Sequence, residues 1–133
     1  MGMYTGLIFK GIIKKELRES FNDIAEYGKW EESNDKILYG FSKISRYRDI
    51  PCGALCYMPE SWDKDVNLKK KRYDIKTGFW GFKCSLKNYD YTIEEFFKII
   101  PYFTEYLIHL EYLYEDWEES KYYKLENGKI IEV

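Results

Sequence analysis

The sequence predicts a single α+β domain, residues 1–133: an antiparallel or mixed sheet with two helices on one face, ferredoxin-like in layout with extra strands. Three observations carry this. The apolar period switches from two to helical spacing and back, twice along the chain. Two helices cannot cover both faces of a sheet this size, so they share one. A length of 133 residues sits within the roughly 100–200 of one domain and suffices for a core without disulfides or a metal. With 45% hydrophobic and 33% charged residues, the chain is neither a disordered tail, a collagen repeat nor a coiled coil.

Tyr4 to Lys10 reads as a strand, with Leu7 and Phe9 on one face and Ile8 on the other. Leu17, Phe21, Ile24 and Gly28 then fall at helical spacing, predicting an amphipathic helix over Lys14 to Tyr27 closed by Gly28. Glu31 to Asp35 is a turn. Ile37 to Ile44 and Gly53 to Met58 look extended. Glu60 to Tyr73 lacks a period and reads as a long, polar, mobile loop. Phe79 to Leu86 alternates cleanly, with Phe79, Gly81, Lys83 and Ser85 opposite Trp80, Phe82, Cys84 and Leu86.

After the turn Asn88-Tyr89-Asp90, Thr92 as N-cap and Glu95 three residues on form a capping box. Phe96, Phe97, Ile99, Ile100 and Phe103 supply the buried face of the second helix, which Pro101 ends or kinks. Leu107 to Glu115 returns to period two: Ile108, Leu110, Tyr112 and Tyr114 on one face, and His109, Glu111 and Glu115 on the solvent side. Asn127-Gly128 is the favoured pair for a two-residue hairpin turn between Tyr122–Glu126 and Lys129–Val133.

The stretches Tyr57-Met58-Pro59-Glu60-Ser61-Trp62 and Gly78-Phe79-Trp80-Gly81-Phe82, followed by helix and closing strands, resemble the ferredoxin-like domain of uncharacterised plasmid- and phage-borne proteins of the YubB type. The resemblance spans the C-terminal half and lacks those proteins' longer tryptophan-rich motif. It implies a fold and carries no chemistry.

Charge narrows the function classes. Lys plus Arg number 21 against 23 Asp plus Glu, a net charge of -2, without the basic excess of a dedicated nucleic-acid binder. No stretch approaches the roughly 18 apolar residues of a membrane span, and the first residues lack a signal-peptide pattern. Three cysteines leave one over in any disulfide scheme, so the chain reads as a cytosolic protein with reduced thiols. The wealth of Tyr, Phe, Lys and Ile follows AT-rich codons and therefore an AT-rich genome. The four Trp escape that bias and carry more information.

Catalytic signatures are sparse. His109 lies two positions from Glu111, which could orient its imidazole, yet no nucleophile turn accompanies it. Cys52, Cys56, Cys84 and His109 make a conceivable zinc set. On an extended strand, however, Cys52 and Cys56 stand about 13 Å apart, so core thiols and no metal or other cofactor are expected. Phosphate-cradling glycine loops are absent, and the many acidic pairs sit in polar runs.

Two surface features remain. The run Lys69 to Arg72, with Trp62 ahead and Tyr73 behind, could hold a polyanion by pairing cations with phosphates and stacking rings on bases. It also reads as a solvated lysine loop. Glu115, Asp116, Glu118 and Glu119 surround Trp117, which suits a partner protein with a basic surface. The same segment reads equally as a charged turn with Trp117 folded onto the core edge. The ranking that results is a small non-enzymatic protein-binding module first, immunity-like or host-factor-binding and borne by a mobile element. A nucleic-acid or small-ligand binder comes second, and an orphan enzyme third. The candidate binding residues are Trp117, Glu115, Asp116, Glu118, Trp62 and Arg72.

Overall fold

In a computed structural model that describes residues 3–63 and 71–133, the chain opens with strand β1 (Thr5–Ile13), buried along most of its length. Short helices follow: α1 (Phe21–Tyr27), α2 (Lys36–Phe41), α3 (Asp49–Cys52) and α4 (Glu60–Asp63). Then come β2 (Lys71–Tyr73), β3 (Phe79–Leu86), the long helix α5 (Thr92–Phe103), β4 (Thr104–Tyr114), β5 (Lys121–Glu126) and β6 (Lys129–Glu132). The strands form one open sheet in the order β2-β3-β1-β4-β5-β6, and every described pairing is antiparallel. This is an α+β domain.

One face of the sheet, the inner face, carries the main core. Leu7, Phe9, Trp80, Phe82, Cys84 and Leu110 meet Phe21, Ile24, Leu38, Phe41, Ile50, Phe96, Ile100 and Phe103 from the helices. Aromatic rings dominate its centre. Phe9 stacks on Phe82 at 5.6 Å between centroids, and Phe96 meets Trp30 and Trp80 edge-on. Such pairs add about 0.5–1.5 kcal/mol beyond burial. Of the expected helical core, Leu17, Phe21, Ile24, Phe96, Ile100 and Phe103 are buried, whereas Phe97 is half-buried at the core's edge.

The expectation of two helices is corrected. The structure contains five among the described residues, and α4 packs on the opposite, outer face, where Trp62 meets Ile8 and Leu113. The helix expected over Lys14 to Tyr27 is also split. A 3-10 turn at Lys15–Leu17 precedes α1, and the bonds Phe21 N–H to Arg18 O (3.2 Å) and Asn22 N–H to Glu19 O (3.3 Å) keep three-residue spacing between them. The Arg18 carbonyl also accepts the Tyr73 hydroxyl, and its guanidinium binds the Ile13 and Lys76 carbonyls. Tertiary bonds have replaced the helical ladder. Gly28 does close α1 in the left-handed region, at φ 65°.

Ile37 to Ile44 is helical rather than extended over α2. Asp35 Oδ1 accepts the Ile37 and Leu38 N–H groups at 2.9 and 3.1 Å, and Leu38 and Phe41 bury one side of the turn. Gly53 to Met58 forms no strand, its backbone tied to Ser85 through Ala54 O and Cys56 N–H. The long loop expected over Glu60 to Tyr73 holds α4 at its start and β2 at its end. Residues 64–70, with Lys69 and Lys70, lie outside the described residues.

Thr92 does not cap α5. Its hydroxyl donates to Ser45 O at 2.6 Å, while Asn88 Oδ1 accepts the Ile93 N–H at 2.9 Å and does the capping. Pro101 lies inside the last turn, and α5 runs on to Phe103 before passing directly into β4. A bulge against β1, with Lys10 opposite His109 but Gly11 opposite Leu107, leaves Ile108 49% exposed and brings Leu107 to the core edge instead. The hairpin turn forms as expected, with Asn127 and Gly128 both at positive φ and Glu126 paired to Lys129.

Candidate functional site

The outer face of the sheet is built in cross-strand rows. Ile8 stands between Lys83 and Glu111, and Lys10 between Gly81 and His109, with Arg72 beyond Gly81 on β2. Alternation dictates this: Trp80, Phe82 and Cys84 turn inward, so Lys83 must turn outward. One end of the face is closed by α4. Its Trp62, 6% exposed, lies over Gly6, where an added Cβ would stand 2.7 Å from the indole and 2.2 Å from Met58 Sδ. Lys83 is 4% exposed, and its ammonium donates to the Trp62 carbonyl.

Between these groups lies a cleft of about 390 Å³ lined by Ile8, Lys10, Ser61, Trp62, Lys83, His109 and Glu111. A second hollow of about 490 Å³ shares Ser61, Trp62 and Glu111, and continues to Glu118, Glu119, Ser120 and Tyr122. Glu111 is the hinge between them. It is 8% exposed, accepts the Ser120 hydroxyl at 2.5 Å, and pairs with His109 Nε2 at 2.8 Å. Burial pushes its carboxyl up, but the hydrogen bonds from His109 and Ser120, helped by the charges of His109 and Lys10, outweigh it. The carboxyl is held below its ordinary value. A carboxylate only accepts, so His109 Nε2 carries a proton in this contact.

The acidic turn borders the second hollow. Trp117 is 39% exposed, rests against Tyr112 and Tyr114 at 5.8 and 6.0 Å between centroids, and carries the Lys121 ammonium 5.1 Å above its ring. Asp116, Glu118 and Glu119 are exposed. Glu115 differs, because its carboxylate accepts the Tyr4 N–H and its own N–H donates to Tyr4 O at 3.0 Å. It ends the β1–β4 ladder and so holds the turn in place.

The other sequence-derived residues separate. Trp62 is a wall of the cleft rather than an open stacking ring. Arg72 is exposed, with its guanidinium 5.4 Å from the Phe79 ring centroid. Its neighbour Lys71 turns the other way and donates to Glu26 O. Cys84 is buried in the main core while His109 stands on the outer face, so the four-ligand zinc set is not assembled. Among the described residues no group of three or more His, Cys, Asp or Glu could hold a metal ion, and no helix is long and apolar enough to cross a membrane.

Sequence reasoning weighed His109 and Glu111 but missed Lys83, Lys10 and Ser120. A lysine placed mid-strand in Phe79 to Leu86 was the available signal for Lys83. Comparisons with protein-family models, with curated proteins and with solved structures find no match.

Proposed function

We propose that this chain is a protein-binding module that takes a lysine- and arginine-rich segment of a partner on the turn Glu115 to Glu119, with Trp117 as its apolar contact. One observation carries the reading. Of the four tryptophans, Trp30 and Trp80 are fully buried and Trp62 nearly so, while Trp117 alone keeps 39% of its surface in water. Leaving a large side chain half in water forgoes part of the roughly 1.5–3 kcal/mol that burial supplies. A bound partner recovers it.

Asp116, Glu118 and Glu119 give the surrounding surface the sign that draws a basic segment and speeds encounter. Lys121 above the indole supports the chemistry, since the ring face already accepts an ammonium by cation–π attraction. The strand order β2-β3-β1-β4 with antiparallel neighbours supports a ferredoxin-like core with the β5–β6 hairpin added. An odd cysteine count supports a reducing compartment such as the cytosol. An immunity-like or host-factor-binding role in a mobile element is the class of activity such a surface serves.

The test is a fluorescence titration with a synthetic lysine-rich peptide at low ionic strength. Saturable binding that weakens with salt and falls about tenfold in Trp117→Ala is expected, a change of about 1.4 kcal/mol. Equal affinity in wild type and Trp117→Ala overturns the site. Preference for an acidic peptide or an oligonucleotide of matched length overturns the basic partner.

A further inference from the structure

We infer that a hollow beside the start of α5 holds a quaternary ammonium headgroup, with Tyr91, Tyr112 and Tyr114 as its aromatic contacts and Glu94 as its counter-charge. The hollow is about 240 Å³, and its lining includes these four residues together with Asn88 and Tyr89. It is smaller than the roughly 300–1,000 Å³ of sites that enclose a drug-sized ligand, which suits a headgroup. Tyr91 and Glu94 stand outside the acidic turn, so the inference does not rest on the function proposed for that turn.

The convergence of tyrosines on one carboxylate carries the inference. Tyr112 and Tyr114 lie two apart on β4, so alternation turns both to the same face. Tyr91 comes from the turn before α5, and Glu94 from the first turn of that helix. Codon bias explains how many tyrosines the chain has but not why those of separate segments meet. Tyr91 is 68% exposed and sits in the left-handed region at φ 59°, which is uncommon for a bulky residue. Neither the core nor the turn calls for a tyrosine there.

The electrostatics favour a cation that brings no hydrogen-bond donors. Glu94 Oε1 accepts from Asn88 Nδ2 at 2.7 Å, and Oε2 accepts the Tyr112 hydroxyl at 3.0 Å. Burial, and then the Glu94 carboxylate, push the Tyr112 phenol up. Burial, followed by Asp116 and Glu115, does the same to Tyr114. Carboxylates therefore act on the rings that line the hollow. A primary ammonium brings three N–H groups that each need an acceptor, whereas both Glu94 oxygens already accept. A quaternary ammonium has no N–H, and aromatic surface and nearby charge suffice to hold it. Tyr89, at the rim, has the Arg46 guanidinium 5.5 Å from its ring centroid, and Arg46 pairs with Asp90 at 3.4 Å. The three contacts are for that reason assigned to the other tyrosines.

The experiment titrates the full chain, at constant ionic strength, with choline and separately with a short peptide carrying one trimethyllysine, and follows the trimethylammonium proton signal of each. Saturable broadening with an upfield shift at millimolar choline is expected. Tighter binding of the peptide would assign the headgroup to a protein partner, and comparable or tighter binding of choline to a free small molecule; either supports the site. Tyr91→Ala and Glu94→Gln should each weaken binding about three- to tenfold. The backbone bonds of Tyr91, to Asn88 O and from Glu95 N–H, survive its replacement, so that variant reads the site even where Glu94→Gln disturbs the fold. Trp117→Phe should leave binding unchanged, whatever becomes of the acidic turn as a docking site. Absence of saturation, or equal affinity in Tyr91→Ala, overturns the inference. So does equal binding of the neutral isostere of choline, with tert-butyl in place of trimethylammonium, or of the unmethylated lysine peptide. A loss in Trp117→Phe as large as in Tyr91→Ala would move the cation to the acidic turn and overturn it equally.

Discussion

Glu111 shows how a single residue links stability to the cleft. Its carboxylate is buried and bonded by His109 and Ser120, and the folded protein holds it below the ordinary carboxyl value. A depressed folded pKa means that folding favours the ionised form. The resulting stability is present above the unfolded pKa, near 4.3, and is lost as pH falls through the lower folded value. Glu111→Gln keeps the shape, removes the charge, and should cost about 1–3 kcal/mol at neutral pH, the usual range for bonds to a buried charged group. Urea unfolding at neutral pH and near pH 3 measures it: the gap between wild type and variant should narrow at the acid end. A gap independent of pH would mean that the ionised pair adds nothing. The sequence places His109 and Glu111 on one strand face by spacing alone. It does not reveal that Ser120 bonds Glu111 or that Trp62 lines the same cleft, because those neighbours arrive from a turn and a helix that no local pattern aims.

At the scale of elements, local signals succeed where local physics decides. Phe79 to Leu86 alternates so strictly that β3 and both its faces are readable, and Asn127-Gly128 fixes its hairpin by backbone preference. The helix α2 is missed because β-prone Ile37, Tyr39 and Phe41 mask two better cues, the Asp35 cap and the spacing of Leu38 and Phe41. The β4 bulge is not legible at all, since a register shift belongs to a pair of strands and not to one. The same distinction sorts Phe96 from Phe97. Phe96 is fully buried among Phe9, Trp80 and Phe82, so Phe96→Ala should cost about 3–5 kcal/mol. Phe97 instead meets Tyr112 and Tyr123 edge-on at 6.3 and 4.9 Å, holding the β5–β6 hairpin against α5. Phe97→Ala should therefore cost less, about 1–2 kcal/mol for a half-buried ring and its edge contacts. Its loss should also be local: hydrogen exchange should quicken at Lys124 and Ile131, which pair across the hairpin, before it does in β1. A global loss as large as that of Phe96→Ala would place Phe97 in the main core after all.

Across the whole molecule the tryptophans mark three environments. Trp30 and Trp80 lie in the main core, Trp62 in the small cluster on the outer face, and Trp117 at the surface. Intrinsic fluorescence therefore divides into a protected part and one accessible indole, and the sign of the field at that indole can be measured with charged quenchers. Asp116, Glu118 and Glu119 are exposed, opposed by the Lys121 ammonium 5.1 Å from the ring. Glu115, engaged with Tyr4, lies in the same turn. At about 0.1 M salt the screening length is about 10 Å, so carboxylates one or two residues away act together on the ring while distant charges fade. Caesium should accordingly quench the accessible fraction more strongly than iodide at equal ionic strength, and Trp117→Phe should abolish that fraction. At about 1 M salt, where screening shortens to about 3 Å, the two ions should converge. Stronger quenching by iodide would mean that Lys121 sets the local field, and a basic partner would then meet a ring already defended by a cation of its own sign.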